Sequence, residues 1–206
     1  MKERISIMTT CSDAYWGLMD IAGMNKAEYA IRHKYQLIFL KNEMNNALNY
    51  QERLMQILGH LRDCNWLLFM GADTCITNHT IKIEDIIEKY RDSDVIIGED
   101  VNGINNDVMF IKNTIQSLTF FGNILSNFKN FTTDQYGMQY MESQMPNFKM
   151  TKVHQKLFNA MPYWLYDYKD HKGGQWEKGD FIFHCPGLTN DTRYKVMNKV
   201  LKEVVR

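Results

Sequence analysis

The chain has little to punctuate or staple it. Three prolines in 206 residues form no linker, and neither a low-complexity tract nor a repeat of fixed period interrupts the sequence. A single domain over residues 1–206 is expected, with 45% hydrophobic and 13% aromatic side chains to fill one sizeable core. The cysteines Cys11, Cys64, Cys75 and Cys185 show no CxxC spacing. That argues against a structural zinc or a disulfide framework and for small buried thiols in a reducing compartment. No apolar run reaches the roughly 18 residues of a membrane span, and MKERISIMTT lacks the apolar stretch of a signal peptide. A soluble, cytoplasmic protein without a transmembrane segment is expected. Net charge is missing too: Lys plus Arg and Asp plus Glu stand at 24 each, so no overall field favours a stable nucleic-acid partner or anionic lipid. Neither GxGxxG nor GxxxxGK[ST] occurs, which disfavours dinucleotide dehydrogenases and P-loop enzymes.

What is present is an alternation of periods. RISIMTT, YQLIFL and WLLFM read as short β-rich runs, separated by the helix-period segments DAYWGLMDIAGMNKAEYAIRHK and YQERLMQILGHLRD. This βαβαβ start predicts an α/β domain with a mostly parallel central sheet flanked by helices, and the continuously apolar strands predict burial on both faces. Further on come a helix around KIEDIIEKYRD, strands at DVIIG and DVMFIKN, and helices at TIQSLTFFGNILSNF and TDQYGMQYMESQM. Strands at KMTKVH and DFIFH and a helix through TRYKVMNKVLKEVVR close the chain. The 14 methionines are read as core packing.

In an open parallel sheet, ligands bind beyond the carboxyl ends of the strands, which turns attention to TTCSD after the first strand and GADTCITN after the third. Asp73 in the second turn is either a turn former or a functional carboxylate. Its surroundings favour the second reading. WLLFMGADT resembles the W-(apolar)-DxDT element of nucleotide-sugar-dependent glycosyltransferases with the Rossmann-like GT-A fold. Within that fold the chain resembles the retaining family of fungal α-galactosyl- and α-mannosyltransferases and plant xyloglucan α-xylosyltransferases. NKAEYAIRHKY, INNDVMFIKNT, TTDQYGM, QKLFNAMP and KGDFIFHCPGL match that family's segments in order across about residues 25 to 188. The membrane stem of the Golgi enzymes has no counterpart, so a minimal soluble version is expected. Two positions depart from the pattern: Gly71 stands where the family has its first DxD aspartate, and Asp107 where it has a strand glycine.

The resemblance implies a transferase that moves a hexose or pentose from a nucleoside-diphosphate sugar, UDP- or GDP-linked, to a hydroxyl of a glycan, a lipid-linked sugar or another acceptor. It implies that Asp73 and His184 hold Mn²⁺ or Mg²⁺. One carboxylate, one imidazole and diphosphate oxygens suit such an ion; the bland alternative for His184 is a hydrogen-bonded core residue. It also implies that Gln135 lies at the anomeric centre and that Asp134 serves sugar hydroxyls or charge stabilisation, with retention by front-face attack. The same pair opens a helix with a Thr cap and an acid in its first turn, and both readings hold together. A cation for the leaving diphosphate is expected from Lys178 or Lys172, on a loop whose Gly173 and Gly174 would permit a lid, with Trp176 either stacking on a sugar or anchoring that lid. Thr9, Thr10 and Cys11 are expected beneath the base, and Asn25, Lys26 and Ala72 at the donor. Asp107 is also counted with the donor-binding residues, where it could supply the charge that Gly71 lacks; the alternative is a surface or turn aspartate. Two alternatives stay open: an inverting GT-A transferase with Asp134 as general base, and a nucleotide-sugar-binding protein without turnover.

Overall fold

A computed structural model describes residues 3–44, 48–165 and 173–206. The chain opens with strand β1 (Ile5–Cys11), a 3-10 turn and helix α1 (Met19–His33), then β2 (Gln36–Lys41), α2 (Leu48–Leu61) and β3 (Trp66–Gly71). It continues through β4 (Thr74–Ile76), α3 (Ile83–Lys89), β5 (Val95–Asp100), β6 (Gly103–Lys112), α4 (Ile115–Ser126) and α5 (Asp134–Gln144). β7 (Met150–His154), β8 (Ile182–His184) and α6 (Asn190–Leu201) complete it. Six strands form one sheet in the order β2-β1-β3-β6-β5-β7, and β4 and β8 form a separate two-stranded ladder.

β1 pairs in parallel with β2 and β3, and β5 with β7, while β6 runs antiparallel to both β3 and β5. The sheet is therefore mostly parallel with one reversed strand at its middle. Alternation along β3 shows why its sequence is apolar throughout: Leu67 and Phe69 pack beneath α2, α4 and α5, while Trp66, Leu68 and Met70 face Tyr29 of α1 and Ile83 of α3. Each large apolar side chain buried in this way stabilises the fold by about 1.5–3 kcal/mol. A third cluster, with Leu18, Cys75, Trp176, Phe183 and Met197, lies against the β4/β8 ladder.

Several boundaries differ from the sequence reading. DAYWGL forms a 3-10 turn before α1 rather than its first turns. α1 ends at Lys34, whose φ of 62° is left-handed, a conformation usually left to glycine or asparagine at a helix end. Thr74–Ile76, read as part of a turn, is a fully buried strand because it pairs with β8. The last helix stops at Leu201, and Val205 bridges instead to Asn78. No helix among the described residues is long and apolar enough to cross a membrane.

Candidate active site

The turn between β3 and β4 is fastened at Gly71. Its carbonyl accepts hydrogen bonds from Lys26 Nζ and Thr74 Oγ1, each at 2.7 Å. Lys26 also donates to Thr9 Oγ1 at 3.2 Å, so one buried ammonium ties the ends of β1 and β3 together. Burial lowers the Lys26 pKa to about 8. On the far side of the turn, Cys185 N donates to Asp73 O at 3.0 Å, and the β4/β8 ladder sets Thr74 opposite His184. Asp73 and His184, 111 positions apart by subtraction, are thereby brought to one place.

A third group joins them. Asp73, Asp107 and His184 each turn one ligand atom to a common centre, all within 4.8 Å of one another. His184 Nε2 lies 3.7 Å from Asp73 Oδ1 and 3.4 Å from Asp107 Oδ2. The other oxygen of each acid faces a guanidinium: Arg193 Nε is 3.1 Å from Asp73 Oδ2, and Arg53 Nη1 is 2.9 Å from Asp107 Oδ1. His184 Nδ1 donates to Asn159 Oδ1 at 2.8 Å, which fixes the ring and leaves the Nε2 lone pair toward the carboxylates. Nε2 is buried, 0% exposed, and has no hydrogen-bond partner among the described residues. An orphaned imidazole nitrogen beside two carboxylate oxygens is a donor set that fits a divalent cation.

The electrostatics follow the same contacts. Burial pushes the Asp73 carboxyl up, with His184 and Arg193 pulling the other way. Burial would also raise Asp107, but the nearby His184 ring and the Arg53 guanidinium more than offset it and hold the group below the usual carboxylate range. His184 is raised: burial opposes its charge, and the two acids outweigh burial.

The cluster borders a cleft lined by Thr10, Cys11, Tyr50, Arg53, Ala72 and Arg193, among others. Asp134 stands at the first position of α5, capped by Thr133, whose hydroxyl accepts from Tyr136 N. Its Oδ2 accepts from Arg53 Nε at 2.6 Å, so Arg53 joins Asp134 to Asp107. Gln135 makes a backbone contact to Asp134 Oδ1 and no side-chain hydrogen bond among the described residues.

The structure thus gathers Asp73, Asp107 and His184, with Ala72, Thr10 and Cys11 on the cleft wall. It places others apart. Asn25 bonds both polar groups of Ile76, at 2.9 and 2.7 Å, and pins α1 to β4. Lys26 and Thr9 bond each other below the turn. Lys178 is exposed and lies at the Ile76–Ile182 end of the β4/β8 ladder, opposite the His184 end. Lys172 lies outside the described residues. Trp176 is an anchor, its Nε1 donating to Thr77 Oγ1 at 3.1 Å with Phe183 packed against it. Arg53, Arg193 and Asn159 were not singled out as site residues from the sequence. One signal was there: Arg193 falls four and seven residues before Met197 and Val200, on the buried face of α6.

Residues 4–91 match the sequence model of the galactosyl transferase GMA12/MNN10 family. No curated protein sequence matches the chain. Among solved structures, a glycosyltransferase involved in glycosylation of the major capsid of PBCV-1 superimposes with a TM-score of 0.76 at 15% identity, covering 95% of this chain and 98% of that one. The galactosyltransferase LgtC, solved with donor and acceptor sugar analogues, gives 0.56 at 10% identity over 98% and 96%. The bifunctional glycosyltransferase WbbM gives 0.64 at 11% identity, with 98% of this chain matched to 52% of that one. The chain thus has the GT-A fold seen in these glycosyltransferases, and residues 4–91 carry the sequence pattern of the galactosyl transferase GMA12/MNN10 family.

Proposed function

We propose that the chain transfers a hexose or pentose from a UDP- or GDP-linked sugar to an acceptor hydroxyl with retention at the anomeric carbon, using Mn²⁺ or Mg²⁺ held by Asp73 and His184. The observation that carries this reading is the unpartnered, fully buried His184 Nε2 facing Asp73 at the carboxyl end of β3. When bound, the cation neutralises the charge that develops on the departing diphosphate.

The chain's own groups do the rest. Arg193, beside Asp73 on the cleft wall, supplies the cationic side chain expected of Lys178. Thr10 and Cys11 offer backbone at the end of β1, where the base is expected. Gln135, whose side-chain amide makes no hydrogen bond among the described residues, is assigned to the anomeric centre. The bond from that carbon to the diphosphate oxygen breaks with its electron pair on the leaving group. The acceptor oxygen bonds to the same face, and its proton passes to the departing phosphate.

The setting of Asp134 supports retention over inversion. Both of its oxygens are engaged, one by Arg53 and one by Gln135 N, so it is poorly disposed to take a proton as a general base. It serves instead to hold Arg53 and the first turn of α5. The test is nucleotide release from a panel of UDP- and GDP-sugars with Mn²⁺ and water as acceptor, with NMR of the liberated sugar. Release with retained configuration is expected from one donor. Inverted product would overturn the retaining mechanism, and the absence of release from every donor would overturn turnover itself.

A further inference from the structure

We infer that Asp107 is a third protein ligand of the divalent cation, delivered from β6 to the place that a side chain on residue 71 would otherwise occupy. This rests on the cation-dependent reading above and adds to it a residue from a different strand.

The register makes the exchange possible. β3 and β6 pair antiparallel with Met70 opposite Val108, and one step beyond that pair stand Gly71 and Asp107. Opposite residues of an antiparallel pair project on the same face with Cβ atoms about 4.5–5.5 Å apart. A Cβ on Gly71 would lie 3.3 Å from both Asp107 Oδ1 and Asp73 Oδ1 and 3.4 Å from Asp107 Cβ. The Asp107 carboxylate therefore fills the volume into which a side chain at 71 would grow, and it faces the same neighbour. Glycine at 71 leaves room for it. Gly71 is not among the residues of positive φ, so its backbone does not require glycine, and the crowding by the two acids is the reason on the page for having no side chain there.

The other contacts suit a ligand. Asp107 turns Oδ1 to Arg53 and Oδ2 toward His184 Nε2. Its side chain is 34% exposed against 11% for Asp73, so it is the acid of the two more open to the cleft. The unpartnered His184 Nε2, 0% exposed, is the independent sign that a cation belongs between them. Three ligands from β6, the β3–β4 turn and β8 would tie the main sheet to the β4/β8 ladder through the ion.

The experiment is Mn²⁺ binding read by the electron paramagnetic resonance of free ion, on the purified full chain with UDP or GDP present, with folding followed by circular dichroism. Wild type, Asp73→Asn, Asp107→Asn and the exchange variant Gly71→Asp/Asp107→Gly are compared. Asp107→Asn is expected to weaken Mn²⁺ about tenfold or more, and the exchange variant to recover most of the loss. Asp107→Cys adds a readout that pairing with Arg53 would not move: a thiolate ligand shifts preference from Mn²⁺ toward Zn²⁺. Wild-type affinity in Asp107→Asn, with Asp73→Asn impaired, would overturn the third ligand and leave the metal reading standing. Loss in Asp107→Asn with neither recovery in a folded exchange variant nor a shift in metal preference would assign the effect to Arg53 and likewise overturn it. No Mn²⁺ binding by wild type would overturn the metal reading on which the inference rests.

Discussion

Arg53 and Asp134, 81 residues apart in the chain, are clasped in the interior: Arg53 Nε donates to Asp134 Oδ2 at 2.6 Å and Nη2 lies against the same oxygen. Both side chains are buried, and the guanidinium is also stacked 5.3 Å from the centre of the Phe69 ring. The pair joins α2 to α5 and, through Asp107, to the candidate cation site.

Removing one partner of a buried pair leaves the other charge uncompensated, which costs about 3–5 kcal/mol. Arg53→Met is expected to lower stability by roughly that amount in urea denaturation, and Arg53→Met/Asp134→Leu to recover a substantial part. A single variant as stable as wild type would mean that the clasp is solvated and weak.

Lys26 carries a pH signature. Its pKa is lowered from the ordinary 10.5 to about 8 by burial, so the unfolded chain holds the proton more tightly between those values. Unfolding then takes up a proton, and the contribution of Lys26 to stability rises with pH across that window by about 1.4 kcal/mol per unit. The stability of wild type minus that of Lys26→Met should climb between pH 8 and 10, measured by chemical denaturation at each pH. A flat difference would show that the ammonium is hydrated.

Gly137 sits in α5 where it crosses α4. A Cβ there would come within 2.8 Å of Ile124 Cγ2 and 3.0 Å of Phe131 Cδ2. Alanine gains about 1 kcal/mol of helix propensity, and overpacking costs about 1–3 kcal/mol. Gly137→Ala is expected to be net destabilising in a thermal melt; a raised melting temperature would mean that α4 and α5 part easily.

Gln135→Ala should lower kcat by on the order of 10², the cost of deleting one stabilising group at a transition state, while donor KM changes little. A raised KM with unchanged kcat, from initial rates of nucleotide release, would move Gln135 from the anomeric centre to ground-state donor binding.

The parts of this molecule written in local pattern were legible in the sequence. WLLFM is buried on both faces, as a run with no polar alternation requires, and DFIFH delivers His184 beside Asp73. What escaped is non-local. The reversed direction of β6 cannot be read from DVMFIKN, yet it alone sets Asp107 across from Gly71. Arg53 was not singled out in the sequence, because its partners lie 54 and 81 residues away. Asn25 and Lys26 sit in a stretch matching the family, but their side chains are engaged in holding α1, β1 and the β3–β4 turn together.

The most direct test of the central claim is calorimetric titration with UDP and with GDP, with and without Mn²⁺, on wild type and Asp73→Ala. The account predicts metal-dependent binding of one nucleotide by wild type and its loss in the variant. Binding by neither nucleotide under any metal condition, or equal binding by Asp73→Ala, would contradict it.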